Sequence, residues 1–163
     1  MKKKLLSIMA CAFAAMMALC FAGCSSEPSG ADQLEEYSSL PSVSSFQENS
    51  SLFLQGLVIY ADPENPEEEK AEMANKELQD ICQAVIDEDE VPTRCEALHE
   101  QYKNAASMLQ TAGTAYSSAA SLYSQGLYDM GMAQVELATT ASDSATNYLN
   151  DAGPMITAMQ EEK

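Results

Sequence analysis

The chain has 163 residues, 46% of them hydrophobic, and its 25 acidic residues against 8 basic ones give a formal net charge of -17. This length allows one small domain. Because a polyanionic protein repels phosphate groups and anionic lipid headgroups, the charge argues against binding to nucleic acid and against electrostatic binding to a membrane surface.

The first 23 residues have the composition of a secretory signal. Lys2, Lys3 and Lys4 precede an apolar run over residues 5–21, and small residues follow it. A run of about 17 residues is at the short limit for crossing the roughly 30 Å hydrocarbon core of a bilayer. We therefore expect an export signal over residues 1–23 rather than a membrane-spanning helix.

The signal ends in Phe21-Ala22-Gly23-Cys24, which resembles the lipobox of bacterial lipoproteins. In that family small residues precede a Cys that is acylated before the signal is cleaved. The resemblance implies that Cys24 is the site of lipid attachment and the first residue of the mature protein. Phe21 stands where the family more often has Leu.

Cys20 is a poorer candidate for the lipid, because Leu19 fills the position where cleavage requires a small side chain. An ordinary cleaved signal without lipid is the alternative. Two acyl chains on one residue are sufficient for stable anchoring. The lipobox thus implies a protein held on the extracytoplasmic face of the cell membrane by its N-terminal lipid.

The residues behind Cys24 are polar and rich in serine, which is typical of a flexible connection. We predict three regions: a signal peptide over 1–23, a lipidated Cys and flexible tether over 24–43, and a helical domain over 44–163. In the domain, Pro and Gly residues separate four predicted helices, at about 44–61, 64–89, 92–125 and 130–152. Residues 57–60 alone are equally compatible with a short strand.

The third predicted helix carries the most regular apolar pattern, with steps that alternate between three and four residues. Its seam is Val91, Cys95, Leu98, Tyr102, Ala105, Leu109, Ala112, Tyr116, Ala119 and Tyr123. The last helix is expected to turn Ala133, Leu137, Ala138, Ala141, Ala145, Tyr148 and Ala152 inward and to end at Gly153-Pro154. The predicted fold is all-α, an up-and-down bundle of three or four helices after a flexible N-terminal tether.

Cys82 and Cys95 flank the predicted turn between the second and third helices. A helical hairpin places the two cysteines at a similar height along neighbouring helices. In an oxidising compartment we therefore expect a disulfide that stabilises the fold by roughly 3 kcal/mol. The alternative is two buried thiols that pack as small hydrophobic groups.

His99 is the only histidine, and no nucleophile or second histidine accompanies it. The sequence therefore favours a surface or interhelical hydrogen-bonding role over that of a base or a metal ligand. Acidic clusters at 62–69 and 87–90 lack the alternating carboxylates and central glycine of a calcium loop, so they predict weak cation binding at most. We expect no metal site, no cofactor and no enzymatic activity.

Residues 104–128 contain no charged side chain over about seven helical turns. Neighbouring helices are expected to cover this surface; the alternative is a surface that contacts another protein or another copy of the chain. Met130, Met132, Met155 and Met159 lie towards the two ends of the last helix, where we expect them to fill the core.

The segment 91–99, followed by Tyr102, Ala105, Leu109 and Tyr116, resembles a pattern in small helical bacterial lipoproteins. In those proteins a Pro-led helix with a Leu-His pair leads into a long helix and a helical hairpin. The resemblance covers about the second half of the chain and implies a helical fold. It transfers no catalytic residue.

These observations favour a non-enzymatic protein-interaction or structural module of the cell envelope. Such a module contacts the membrane through its lipid and binds a protein partner or a second copy of itself. The alternative is an accessory lipoprotein that binds a small solute or a cation at its acidic clusters.

Overall fold

The computed structural model describes residues 28–162, which form five α-helices and one short 3₁₀-helix. The α-helices are α1 (Gly30–Ser39), α2 (Pro41–Tyr60), α3 (Glu68–Ile86), α4 (Glu96–Ser124) and α5 (Tyr128–Glu161), and the 3₁₀-helix Thr93–Cys95 leads into α4. None of the described residues lies in a strand, so the all-α fold and the helical bundle are confirmed, with five helices in place of three or four. The predicted signal and Cys24 lie outside the described residues.

The central helix of the bundle is α4, which packs against α2, α3 and α5. Every residue of its predicted seam is buried except Val91, which is half-buried. Neighbouring helices therefore largely cover residues 104–123 of the uncharged stretch, as expected, whereas its last residues, 124–128, are exposed. None of the helices in residues 28–162 combines the length and hydropathy that a membrane span requires.

The four long helices alternate in direction, so the bundle has two distinct ends. At the α1 end, the Ser42 hydroxyl at the start of α2 donates to the Glu88 carboxylate behind α3 at 2.7 Å. At the opposite end, the hairpin tip, Ser121 and Ser124 of α4 donate to the Glu68 carboxylate at the start of α3, at 2.6 and 2.8 Å. These two bonds lower the pKa of Glu68. Because α4 has 29 residues, the two ends are about 44 Å apart.

Helix α1 lies where a flexible tether over 24–43 was predicted, so that prediction is wrong for residues 30–43. Ser29 and Asp32 form a capping box that starts the helix, and their hydrogen bonds lower the pKa of Asp32. Leu34 and Tyr37 are buried, because α1 packs against α2, α5 and the 3₁₀-helix. The burial of these two side chains stabilises α1, although its exposed positions are polar.

Helix α5 continues through Gly153-Pro154 to Glu161, so the predicted end at this pair is wrong. A proline in a helix disfavours the helical conformation of the preceding residue by crowding its Cβ. Gly153 has no Cβ, and Pro154 is exposed, so the ring projects into solvent. The last turns stay helical because Ala152 and Met159 are buried and because α5 contacts α1.

The α4–α5 turn is a Schellman motif with Gly126 in the left-handed region at φ 77°. The Gly126 amide donates to the Tyr123 carbonyl at 3.0 Å and the Leu127 amide to the Leu122 carbonyl at 2.9 Å. This motif lets α5 begin at Tyr128, two residues before the predicted start. The helices approach closely there, since a Cβ on Gly131 would come within 2.4 Å of the Tyr123 ring.

Within residues 28–162, α5 packs only against α4 and, at the α1 end, against α1. Its buried seam steps by seven residues and consists mostly of small side chains: Gly131, Ala138, Ala145, Ala152 and Met159. Ala141 and Ser142 are buried beside this seam. Ala133 and Leu137, predicted to point inward, are exposed, and Tyr148 is half-buried. The first half of α5 therefore has one neighbour and a broad solvent-facing side.

Candidate functional site

Near the α1 end, His99 makes a hydrogen bond with each ring nitrogen. The Tyr37 hydroxyl of α1 lies 3.1 Å from Nδ1, and the Glu88 backbone carbonyl lies 3.1 Å from Nε2. A carbonyl only accepts, so Nε2 carries the proton and Nδ1 accepts from Tyr37. The predicted interhelical hydrogen-bonding role of His99 is confirmed.

Aromatic rings enclose this pair of hydrogen bonds. Tyr37 packs edge-on against His99 and against Tyr102, with ring centroids 5.7 and 5.8 Å apart. The Gln47 side chain of α2 donates to the Tyr102 hydroxyl at 2.9 Å. Burial raises the pKa of Tyr37 and raises that of Tyr102 to about 12, so both phenols are neutral. We call Tyr37, Gln47, Glu88, His99 and Tyr102 the His99 cluster.

Burial, aided by Lys103, lowers the pKa of His99, while the bond to the Glu88 carbonyl and the charges of Glu88 and Glu100 oppose that shift. At neutral pH the imidazole is therefore uncharged and engaged at both nitrogens. The only thiol beside the cluster, Cys95, has its pKa raised to about 11, so it is a poor nucleophile. The cluster fastens α1 to the bundle and presents no free base to a substrate.

This arrangement predicts a loss of stability between pH 7 and pH 5. Folding lowers the pKa of His99 below its ordinary value of about 6.5. The unfolded chain therefore binds more protons than the folded chain in this range, and the free energy of unfolding decreases as the pH is lowered. One proton limits the slope to about 1.4 kcal/mol per pH unit. The contribution is complete above pH 6.5.

Urea unfolding at pH 7, 6 and 5 measures this slope. We expect His99→Gln, which is neutral throughout, to be less stable than the wild type at pH 7 and to lose less stability on acidification. Asp32 and Glu68, whose pKa values are lowered, act in the same direction but below about pH 4. Equal slopes for the two proteins between pH 7 and 5 would exclude His99 as the titrating group.

The predicted disulfide between Cys82 and Cys95 is wrong for this structure, in which both residues are free, buried thiols. The Cys95 Sγ donates to the Gln33 carbonyl at 3.4 Å, so it is directed at α1 and not at α3. Burial raises the pKa of Cys82 to about 12. The alternative, two thiols that pack as small hydrophobic groups, describes the structure.

The acidic clusters take part in local hydrogen bonding. In the first cluster, Glu68 accepts from the two α4 serines and Glu67 pairs with Lys70. In the second, the Glu88 carboxylate accepts from Ser42 and from the Glu90 amide. Across residues 28–162, no group of three or more His, Cys, Asp or Glu residues is placed to hold a metal ion.

At the hairpin tip, five large apolar side chains are exposed close together in the chain. Their exposed fractions are 43% for Leu127, 53% for Tyr128, 58% for Met130, 57% for Met132 and 49% for Leu137. We call these five residues the tip surface. Met130 and Met132 were predicted to fill the core, and for them that prediction is wrong, whereas Met155 is half-buried and Met159 is buried.

The tip surface exists because α5 uses mainly Gly and Ala to contact α4. A seam of small residues lets two helices approach closely but buries little of the larger side chains beside it. The sequence predicted core positions for three of them: Met130, Met132 and Leu137. The signal that identifies them is their position outside the seven-residue spacing of Gly131, Ala138 and Ala145.

Comparison of the chain with protein-family models, with curated proteins and with solved structures gave no match.

Proposed function

We propose that the protein is a membrane-anchored extracytoplasmic lipoprotein that acts as a non-enzymatic interaction module, binding a protein partner of the cell envelope through the tip surface. The observation that carries this proposal is the exposure of five large apolar side chains within residues 127–137, at the hairpin tip, whereas the other exposed large apolar side chains, Leu52, Ile59 and Met73, lie on α2 and α3. Single exposed apolar side chains are common on protein surfaces, whereas several of them close together are typical of an interaction site.

The position of the tip surface supports a protein as the partner. Cys24, the proposed lipid site, lies four residues before the first described residue, Pro28. Four residues span at most about 14 Å, so the lipid holds the α1 end of the bundle close to the membrane. The hairpin tip, about 44 Å away along α4, is then the part of the bundle best placed to meet another protein.

The solute- or cation-binding alternative gains no support from the acidic clusters. The carboxylates of Glu68 and Glu88 are each engaged by serine hydroxyls, and the Glu67 carboxylate pairs with Lys70. An enzymatic role gains none from the His99 cluster, because both imidazole nitrogens are occupied.

Site-specific photocrosslinking in the native cells tests the interaction. A photoreactive amino acid in place of Met132 is compared with one in place of Met73. Met73 is also an exposed methionine, 67% exposed, but it lies on α3, outside the tip surface. We expect one discrete protein adduct at position 132 that is absent at 73 and is lost when Leu137 is changed to Glu. Identical adducts at both positions, or none at 132, would contradict the proposal.

Membrane fractionation tests the anchor. We expect Cys24→Ser to move the protein from the membrane fraction to the soluble fraction, because serine cannot carry the thioether-linked lipid. Cys20→Ser is the matched control and should remain with the membrane. If Cys24→Ser stays with the membrane, the lipoprotein assignment is wrong, while the crosslinking result stands independently.

A further inference from the structure

The second half of α5 packs against both α4 and α1, whereas the first half packs against α4 alone. α1 contacts both α2 and α5 at the α1 end of the bundle. Its first residue, Gly30, lies so close to α5 that a Cβ there would be 2.9 Å from the Met159 carbonyl. Towards the hairpin tip, no described helix takes the place of α1, and there the apolar side chains are exposed. The first half of α5 thus has an exposed side without a neighbouring helix.

The exposed side of α5 carries a row of acidic residues with apolar residues on both sides of it. Asp129, Glu136 and Asp143 recur every seven residues and are all exposed. At about 100° per residue, this acidic row lies between an apolar pair, Tyr128 and Met132, and a second apolar pair, Met130 and Leu137. The sequence of α5 from Tyr128 to Glu161 contains no Lys or Arg.

We propose that the occupant of the tip surface is an amphipathic helix of another protein that carries Lys or Arg beside its apolar face, lying along the first half of α5. This inference rests on the proposed function and specifies its partner. The apolar face of the partner packs on Met130 and Leu137, and the basic residues at its edge reach the acidic row.

Charge disfavours two other occupants. A second copy packed symmetrically, α5 on α5, would place the same acidic row against Asp129, Glu136 and Asp143, and like charges in contact are repulsive. An anionic membrane surface is repelled for the same reason. A basic helix is the helical partner whose charges are complementary to this side of α5.

Peptide binding to the full chain tests the inference. The protein, produced with its own N-terminal segment, is placed in phosphatidylcholine nanodiscs, with empty nanodiscs as the blank. Three fluorescent 18-residue helical peptides share one leucine face and carry Lys, Gln or Glu on the other face. We expect the Lys peptide to bind at least about tenfold more tightly than the Gln peptide, and the Glu peptide not to bind.

Two sets of variants show where the Lys peptide binds. Changing Met130 and Leu137 to Glu should weaken its binding by at least about tenfold. The triple variant Asp129→Asn, Glu136→Gln, Asp143→Asn should reduce its affinity to that of the Gln peptide. The triple variant Glu72→Gln, Glu77→Gln, Asp80→Asn makes the same charge change at exposed positions of α3 and should leave binding unchanged.

Several outcomes would overturn the inference. Equal weakening by the two triple variants would mean unspecific attraction to a polyanion, and no binding of the Lys peptide would exclude a basic helix. Equal binding of the Lys and Gln peptides, lost in the Met130 and Leu137 variant, would leave an interaction surface without the charge rule, so the proposed function would survive alone. Self-association in sedimentation, abolished by Leu137→Glu, would identify a second copy as the occupant.

Discussion

Tyr37→Ala is expected to lower the free energy of unfolding by about 3–5 kcal/mol, the range for removing a buried aromatic side chain. Tyr37 is 1% exposed and is among the largest fully buried side chains of the described chain. Its ring packs edge-on against His99 and Tyr102, and its hydroxyl satisfies the His99 Nδ1. Alanine removes the packing and leaves a buried acceptor without a donor. Small domains are stable by about 5–15 kcal/mol, so this loss is a large fraction of the total.

Urea unfolding followed by circular dichroism measures the effect, and Tyr37→Phe separates its two causes. Phenylalanine keeps the ring and removes only the hydroxyl, so we expect a loss of about 1–3 kcal/mol from the unsatisfied nitrogen. Hydrogen exchange should show weakened protection of α1 amides in the Ala variant. A loss below about 1 kcal/mol for Tyr37→Ala would show that α1 does not belong to the cooperative unit of the bundle.

The features of the fold that repeat along the chain were accessible from the sequence. The α4 seam steps by three and four residues for eight turns, and such a long pattern leaves little doubt about the helix and its inner face. In α3 the apolar residues at helical spacing are likewise buried: Ala71, Ala74, Leu78 and Val85. Both helices pack against two or more neighbours, so hydrophobic residues at helical spacing are also core residues.

The features that depend on which helices become neighbours were not accessible. The serine-rich composition did not indicate α1, which is stabilised by two buried apolar side chains, Leu34 and Tyr37, and by a capping box. On α5, Leu137 looked like core and is exposed, because only a tertiary arrangement determines that this helix has one neighbour near the tip. The thiol of Cys95 faces α1, a helix that the sequence did not predict, and this orientation is why the expected disulfide is missing.

For His99, the sequence predicted the kind of role but not the hydrogen-bond partners. The absence of a second histidine and of a nucleophile indicated a hydrogen-bonding role, and the structure supplies its partners, Tyr37 and the Glu88 carbonyl. Neither partner was identifiable beforehand, since one belongs to the unpredicted α1 and the other is a backbone atom in a turn. The bond to Glu88 also accounts in part for the second acidic cluster, which lies in a turn fastened to α4 and α2.

Gly113 is expected to be the residue that sets the separation of the three central helices, and Gly113→Leu should destabilise the bundle by about 3 kcal/mol. A Cβ at this position of α4 would lie 2.7 Å from the Asn75 Oδ1 and 3.0 Å from the Leu78 Cδ2 on α3, and 3.5 Å from the Leu57 Cδ1 on α2. Leu57 and Leu78 are fully buried. The added side chain must therefore push both helices outward or force their leucines out of favourable rotamers.

Helix propensity alone would make Gly113→Leu stabilising, so a measured loss of stability can be attributed to close packing. A glycine in a helix interior is about 1 kcal/mol less favourable than alanine, and leucine is nearly as good as alanine, so a Leu with free space would stabilise α4. Thr111→Leu, at an exposed position of the same helix, is the control and should change stability by less than about 0.5 kcal/mol. Urea midpoints of the two variants at pH 7 measure the difference. If Gly113→Leu is as stable as the wild type, α4 is not in close contact with α2 and α3 at Gly113, and the close packing argued here is wrong.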